Sequence, residues 1–189
     1  IVKYLDIPIQ HCNSKILKLM NRRGDGPFLR ELFAKLRSAV PGLVIRTSLI
    51  TGLPGEGEEE FEELCQFLQE QRLERVGAFA FSPEEGTPAA EMEFVDSEIA
   101  AKRAEIIEML QSSIMDDWCT SMIGKTLDIL VDGYDEEQEQ FYGRTYADSP
   151  DIDGRVWIAS EEPLREGMFV NVTIDGCVDG DLAGYVVEE

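Results

Sequence analysis

Near Gly124 the sequence changes rhythm, and that change limits the fold more than any single motif does. Before it, short β-rich apolar runs alternate with stretches of helical spacing. After it, five short strand-like runs follow one another between Gly, Asp and Pro turns, with no helical period between them. Residues 3–9, 44–51 and 76–81 read as strands, the first of them buried. Asn13 caps a helix bearing Ile16, Leu17 and Met20, and Pro27 opens a second one with Leu29, Leu32, Phe33, Leu36 and Val40 on its apolar stripe. A third starts at Glu58, Glu59 and Glu60, carboxylates that suit a helix N-terminus, and buries Phe61, Leu64, Cys65 and Leu68. A fourth, from about Asp96, turns Ile99, Arg103, Ile106, Ile107, Leu110 and Ile114 to one side.

Strand–helix repeats of this kind specify parallel strands joined by right-handed crossovers. Residues 1–123 therefore read as an α/β barrel segment or an open α/β sheet. Residues 124–189 read as a small five-stranded antiparallel β-barrel of the OB-like type, with strands at 127–131, 142–146, 155–158, 169–174 and 182–186. The boundary falls near Met122–Lys125, and the acidic run 135–140 reads as a solvated hairpin tip.

Charge divides at the same place. The chain of 189 residues carries a net charge of −21. Residues 1–123 hold 13 basic and 21 acidic residues, whereas 124–189 hold 4 and 17. Phosphate backbones are bound by Lys and Arg that displace counterions, and the second part offers only Lys125, Arg144, Arg155 and Arg165. Repulsion that keeps the chain dissolved is one reading; attraction to a basic partner is the other. No apolar run is long enough to span a membrane. The opening Ile1-Val-Lys-Tyr-Leu has neither an initiator Met nor a signal-peptide layout, and reads like the interior of a longer chain. Cys12, Cys65, Cys119 and Cys177 lie too far apart in sequence for a zinc, redox or iron–sulfur motif. Without a secretory signal they suggest a reducing, cytoplasmic setting.

In a parallel α/β fold the working site lies at the carboxyl ends of the strands. Three such ends are distinctive: Pro8-Ile-Gln10-His11, Gly52-Leu-Pro54-Gly55-Glu56 and Phe81-Ser82-Pro83. The two glycines would let a ligand approach the backbone; the alternative is a tight strand-to-helix turn. Gln10 and Ser82 could fix the polar edges of a nucleoside. His11, the only histidine, reads as a hydrogen-bonded structural residue rather than a catalyst. Arg46 interrupts an apolar strand and must reach a carboxylate, a ligand or water. By strand alternation it shares a face with Ser48 and Ile50, which would be the barrel interior.

These strand ends also carry a resemblance. Tyr4-Leu-Asp-Ile-Pro-Ile-Gln-His11 with Lys15-Ile-Leu-Lys-Leu-Met-Asn-Arg-Arg23, Arg46-Thr-Ser-Leu-Ile-Thr-Gly-Leu-Pro-Gly-Glu56 and Phe81-Ser-Pro-Glu-Glu-Gly-Thr-Pro88 resemble the methylthiotransferase branch of radical S-adenosylmethionine enzymes. The β-rich tail is similar to the TRAM domain that ends those proteins. The resemblance implies the second half of a radical-SAM (β/α) barrel followed by TRAM. It further implies a transferase that uses S-adenosylmethionine and two 4Fe-4S clusters to insert a methylthio group after hydrogen abstraction by a 5′-deoxyadenosyl radical. Gln10, Arg46, Gly52, Phe81, Ser82 and Pro83 would line the S-adenosylmethionine side, with Glu56 a weaker candidate.

Two substrate classes compete within the branch: an aspartate of small-subunit ribosomal protein number twelve, and an isopentenyl-adenosine of tRNA. Gln10-His11, the stretch Gly143-Arg-Thr-Tyr-Ala-Asp-Ser-Pro-Asp-Ile-Asp-Gly154 and Asp181-Leu-Ala-Gly184 resemble the ribosomal-protein members. An acidic barrel suits a basic ribosomal protein and repels tRNA. A non-catalytic protein-binding module is the reading from another class. The family's Cys-x-x-x-Cys-x-x-Cys motif is not in this sequence, so no catalytic residue and no metal ligand is assigned, and the chain alone is expected to be inactive.

Overall fold

A computed structural model describes residues 2–187. Residues 5–114 form one compact unit; residues 115–187, with 2–4, form another. The division falls inside a helix, some eight residues before the boundary near 123 that the change of rhythm suggests.

The first unit is built on a three-stranded sheet in the order β1 (Tyr4–Asp6), β2 (Val44–Thr51), β3 (Arg75–Ala80). β2 and β3 are parallel, with Arg46 beside Arg75, Ser48 beside Gly77 and Ile50 beside Phe79. After β1 the chain stays alongside β2. The Gln10 N–H donates to the Ser48 carbonyl at 2.9 Å, and Ile50 N–H donates to the Gln10 carbonyl at 2.8 Å. β1 is exposed or half-buried rather than the buried strand its apolar composition suggests, because it sits at the sheet edge.

Helices cover one face only. α1 (Ser14–Leu19) starts where the Asn13 side chain accepts the N–H groups of Lys15 and Ile16. α2 (Gly26–Ala39) starts under Asp25, with Pro27 in its first turn. In α3 (Glu58–Gln71) the Glu60 carboxylate accepts the Gly57 N–H at 2.8 Å. Phe33, Leu64, Phe67 and Leu68 of these helices pack with Ile45 and Leu49 of β2. Burial along β2 alternates accordingly: Ile45, Thr47, Leu49 and Thr51 are buried, and Arg46, Ser48 and Ile50 are half-buried on the uncovered face.

The long helix α4 (Ser97–Met122) follows a short 3-10 turn. Against the first unit it buries Ala100, Arg103, Ala104, Ile107 and Ile114, whereas Ile99 and Ile106 are exposed. The stripe is thus rotated from the one expected, since alanine, not isoleucine, fits where the helix approaches β2 closely.

The second unit is a closed five-stranded barrel: β4 (Thr126–Asp135), β5 (Gln140–Arg144), β6 (Val156–Ala159), β8 (Asp181–Val186) and β7 (Phe169–Val178), in that order. Four pairings are antiparallel, and β6–β8 is parallel. Ile129, Val131, Val156, Ile158, Val172, Ile174 and Leu182 fill it, with Cys119 and Met122 from the end of α4. Bulges at Val131/Gly133 and Ile174/Gly176 bend the long strands. A side chain at Gly143 or Gly184 would meet a neighbouring strand's carbonyl oxygen at 2.3 Å.

Candidate functional site

The uncovered sheet face gathers several of the residues singled out in the sequence. Arg46 projects from it with 20% of its side chain exposed, its Nε 3.8 Å from an oxygen of Asp6. Ser48 and Ile50 follow along the strand, and Phe79, 58% exposed, lies beside Ile50 on β3. Gln10 has a positive φ of 68° and runs beside Leu49. Phe81 continues from β3, its N–H donating to the Thr51 carbonyl at 2.8 Å. Its ring meets that of Phe94 edge-on at 5.5 Å. Ser82 and Pro83 are exposed beyond it. The arrangement is an open surface of polar and aromatic groups at the ends of parallel strands.

Gly52 and Glu56 stand apart from that surface, in the strand-to-helix turn that follows β2. Gly52 is buried with φ 78°, and a Cβ there would come within 2.3 Å of the Ala100 Cβ. A Cβ on Gly55 (φ 82°) would meet Leu19 at 2.8 Å. Both glycines are required by protein packing in a tight strand-to-helix turn, closed by Glu56 N–H donating to the Leu53 carbonyl at 3.0 Å.

Glu56 itself is buried and faces inward. One carboxylate oxygen accepts the Gly52 N–H at 2.9 Å and an Arg103 N–H at 2.8 Å. The other lies 3.4 Å from Nε2 of fully buried His11. Burial pushes the Glu56 carboxyl up, but the neighbouring His11 ring and the hydrogen bonds from the Gly52 N–H and Arg103 prevail and hold it below the usual glutamate value. His11 Nδ1 accepts the Asn13 N–H at 2.9 Å. Arg103 also reaches Glu58 at 2.5 Å and lies 5.0 Å from the centre of the Phe61 ring. This cluster ties two strand-end turns to α3 and α4. Its chemistry is positional: it fixes the turn carrying Gly52, and Glu56, although buried, borders a recess shared with Lys15, Gly57, Glu60 and Phe94.

Arg103 was legible in sequence only as a cation inside an apolar helical stripe, which is the signal that a buried partner exists. Nothing in the sequence places Glu56 opposite it.

The cysteines do not converge. Cys12 Sγ is 3.6 Å from the Glu63 carbonyl and Cys119 Sγ is 3.5 Å from the Gly180 carbonyl, each enclosed in its own unit. Among the described residues no group of three His, Cys, Asp or Glu side chains could hold a metal ion. The described residues do not fit an iron–sulfur cluster. No helix among the described residues is long and apolar enough to cross a membrane.

Comparison with known proteins finds similarity along the whole chain. The radical SAM superfamily profile matches residues 1–68, and the TRAM domain profile matches residues 123–187. The protein named ribosomal protein uS12 methylthiotransferase RimO of Acetivibrio thermocellus is 45% identical over 190 residues, covering 100% of this chain and 42% of its own length. That of Anaeromyxobacter sp. (strain Fw109-5) is 47% identical over 99% of this chain and 40% of its own. The chain thus spans about two fifths of the curated relatives it matches. Among solved structures, coproporphyrinogen III oxidase (HemN) from Escherichia coli, a radical SAM enzyme, aligns with a TM-score of 0.50 at 19% identity. That match covers 59% of this chain and 27% of HemN, a likeness of fold alone. Along its whole length the chain corresponds to the C-terminal part of the proteins named RimO, a radical SAM segment joined to a TRAM domain.

Proposed function

We propose that the chain is the substrate-facing part of a radical SAM methylthiotransferase acting on an aspartate of ribosomal protein uS12. The observation that carries this reading is 45% identity along the whole chain to a protein of that name. The surplus of 17 acidic over 4 basic residues in 124–189 supports a basic protein, rather than tRNA, as partner. When bound, S-adenosylmethionine supplies the radical and methyl-transfer chemistry. In this chain Gln10, Arg46, Phe81, Ser82 and Pro83 would hold it on the uncovered sheet face. Gly52 and Glu56 would act from behind that face, keeping the strand-end turn in place. The sheet's part is to position and to exclude water, not to transfer electrons.

The test is to supply the full-length protein, reconstituted with its clusters, with uS12 and, separately, with tRNA. A methylthio mass gain on one aspartate of uS12 is the expected result. A gain on tRNA with none on uS12 overturns the reading.

A further inference from the structure

One outward face of the barrel carries an assembly that the proposed chemistry does not use. Tyr142 of β5 and Trp157 of β6 are direct cross-strand partners, with ring centres 6.2 Å apart and planes at 62°. Alternation sends their neighbours Gly143, Val156 and Ile158 into the core, so both rings point outward. Each ring is held in place. Gly133, at the β4 bulge, leaves room for Tyr142, whose hydroxyl would lie 2.9 Å from a Cβ there. The Trp157 indole N–H donates to Asp181 at 3.0 Å, while the other Asp181 oxygen accepts the Arg155 backbone N–H at 2.9 Å.

Across these rings lies the exposed side chain of Arg155, its guanidinium carbon 4.7 Å from the Tyr142 centre and 5.3 Å from that of Trp157. Beside it opens a recess of about 430 Å³ lined by Asp132, Asp151 and Asp153 as well as Arg144. Arg144 is engaged with Asp132.

We propose that this face is a docking site for an arginine side chain of a basic protein segment, which Arg155 occupies in the free chain as an internal stand-in. The site names where the partner of the proposed function would bind, and it rests on that reading for the partner's identity. Three observations support the occupant. A guanidinium already lies over both rings, and a planar guanidinium, unlike an ammonium, can stack on an aromatic face. The aspartates rimming the recess supply the opposite charge. Of the four basic residues in 124–189, Arg144 is tied to a carboxylate and Arg155 lies on the rings, which leaves little to neutralise a phosphate backbone.

The experiment titrates the 189-residue chain, at low and moderate salt, with a labelled peptide of alternating arginine and glycine, its lysine counterpart, and a single-stranded RNA oligonucleotide. Arg155→Ala removes the competing guanidinium and should tighten arginine-peptide binding about threefold or more, whereas Tyr142→Leu, which removes one ring, should weaken it about fivefold. The lysine peptide should bind more weakly than the arginine peptide. Should Tyr142→Leu fail to fold, Arg155→Ala, on an exposed side chain, decides alone. Weaker peptide binding in Arg155→Ala, or binding of neither peptide, overturns the site. RNA bound more tightly than peptide and lost in Arg155→Ala overturns it in favour of an RNA platform. Purified uS12 separates this site from the reading it rests on. Binding of uS12 that ignores both substitutions overturns the site alone. The expected peptide responses without uS12 binding uphold the site and overturn the substrate.

Discussion

Gly52 and Ala100 leave no room for another carbon between them: a Cβ on Gly52 would lie 2.3 Å from the Ala100 Cβ and 3.2 Å from its Cα. The strand end of β2 is therefore pressed against α4, and the φ of 78° at Gly52 follows from the turn that begins there. Gly52→Ala should destabilise the chain by at least about 2 kcal/mol, combining left-handed backbone strain with overpacking. Adding Ala100→Gly should recover the steric part and leave the backbone part. Thermal unfolding of both variants checks this, and a neutral Gly52→Ala would mean that α4 yields at this contact.

The acid limb of stability should contain Glu56. A carboxyl held below its ordinary value stabilises the fold above the range where unfolded glutamate titrates, and that stabilisation is lost as pH falls through the folded value. Glu56→Gln leaves buried Arg103 with only the exposed carboxylate of Glu58 and takes the carboxylate from beside His11, and should cost about 3 kcal/mol near neutral pH. The difference from the parent should shrink as pH falls through the folded value, where the parent carboxyl is itself becoming protonated. Urea unfolding near neutral pH and in acid measures it. An equal loss under both conditions would remove the ionised carboxylate from the account.

Strand and helix periods were readable because each element faces one core. β2 was placed at residues 44–51, and its alternation of Arg46, Ser48 and Ile50 against Ile45, Thr47 and Leu49 matches the half-buried and buried positions. What periodicity cannot supply is the distance between elements. Ile99 and Ile106 belong to an apolar pattern, yet the close approach of α4 to Gly52 selects Ala100 and Ala104 for burial. The glycines of the Gly52–Glu56 turn suggested a ligand for the same reason: a missing Cβ says that something is near, not what it is. Tyr142 and Trp157 were visible as aromatics in short strands. Their pairing depends on the register across the connection from Thr145 to Arg155, which no local rule sets.

Cysteine reactivity should follow enclosure. Burial, reinforced by the nearby Glu63 carboxylate, pushes the Cys12 thiol up to about 12, and Cys119 is fully buried. In the native chain both should resist alkylation near pH 8, while half-buried Cys177 should react faster. Under denaturant all four should react alike. Iron and sulfide reconstitution of this chain should give no stoichiometric cluster, because the described cysteines do not form a ligand group and Cys12 and Cys119 contact separate carbonyls. Stoichiometric iron with a charge-transfer absorption band would refute that.

Arg46 separates a cofactor face from an ordinary surface ion pair. Its Nε is 3.8 Å from Asp6, whose side chain is 53% exposed, so the pair is wet and contributes at most about 1 kcal/mol. On that pair alone, the melting temperature of Arg46→Ala should stay within a few degrees of the parent. If the uncovered face of β2 holds S-adenosylmethionine, the same substitution in the full-length protein should weaken its binding about tenfold or more, since a charged hydrogen bond to an anionic group contributes on the order of 1.5–3 kcal/mol. Arg46→Lys keeps the charge but not the planar fork and should fall between the two. Equilibrium dialysis of S-adenosylmethionine reads the affinity without requiring turnover, and calorimetry reads the stability. A large loss of melting temperature with unchanged affinity would make Arg46 a structural residue and move the cofactor off this face. Unchanged values of both would leave the strand ends at Gln10 and Phe81 to hold it without Arg46.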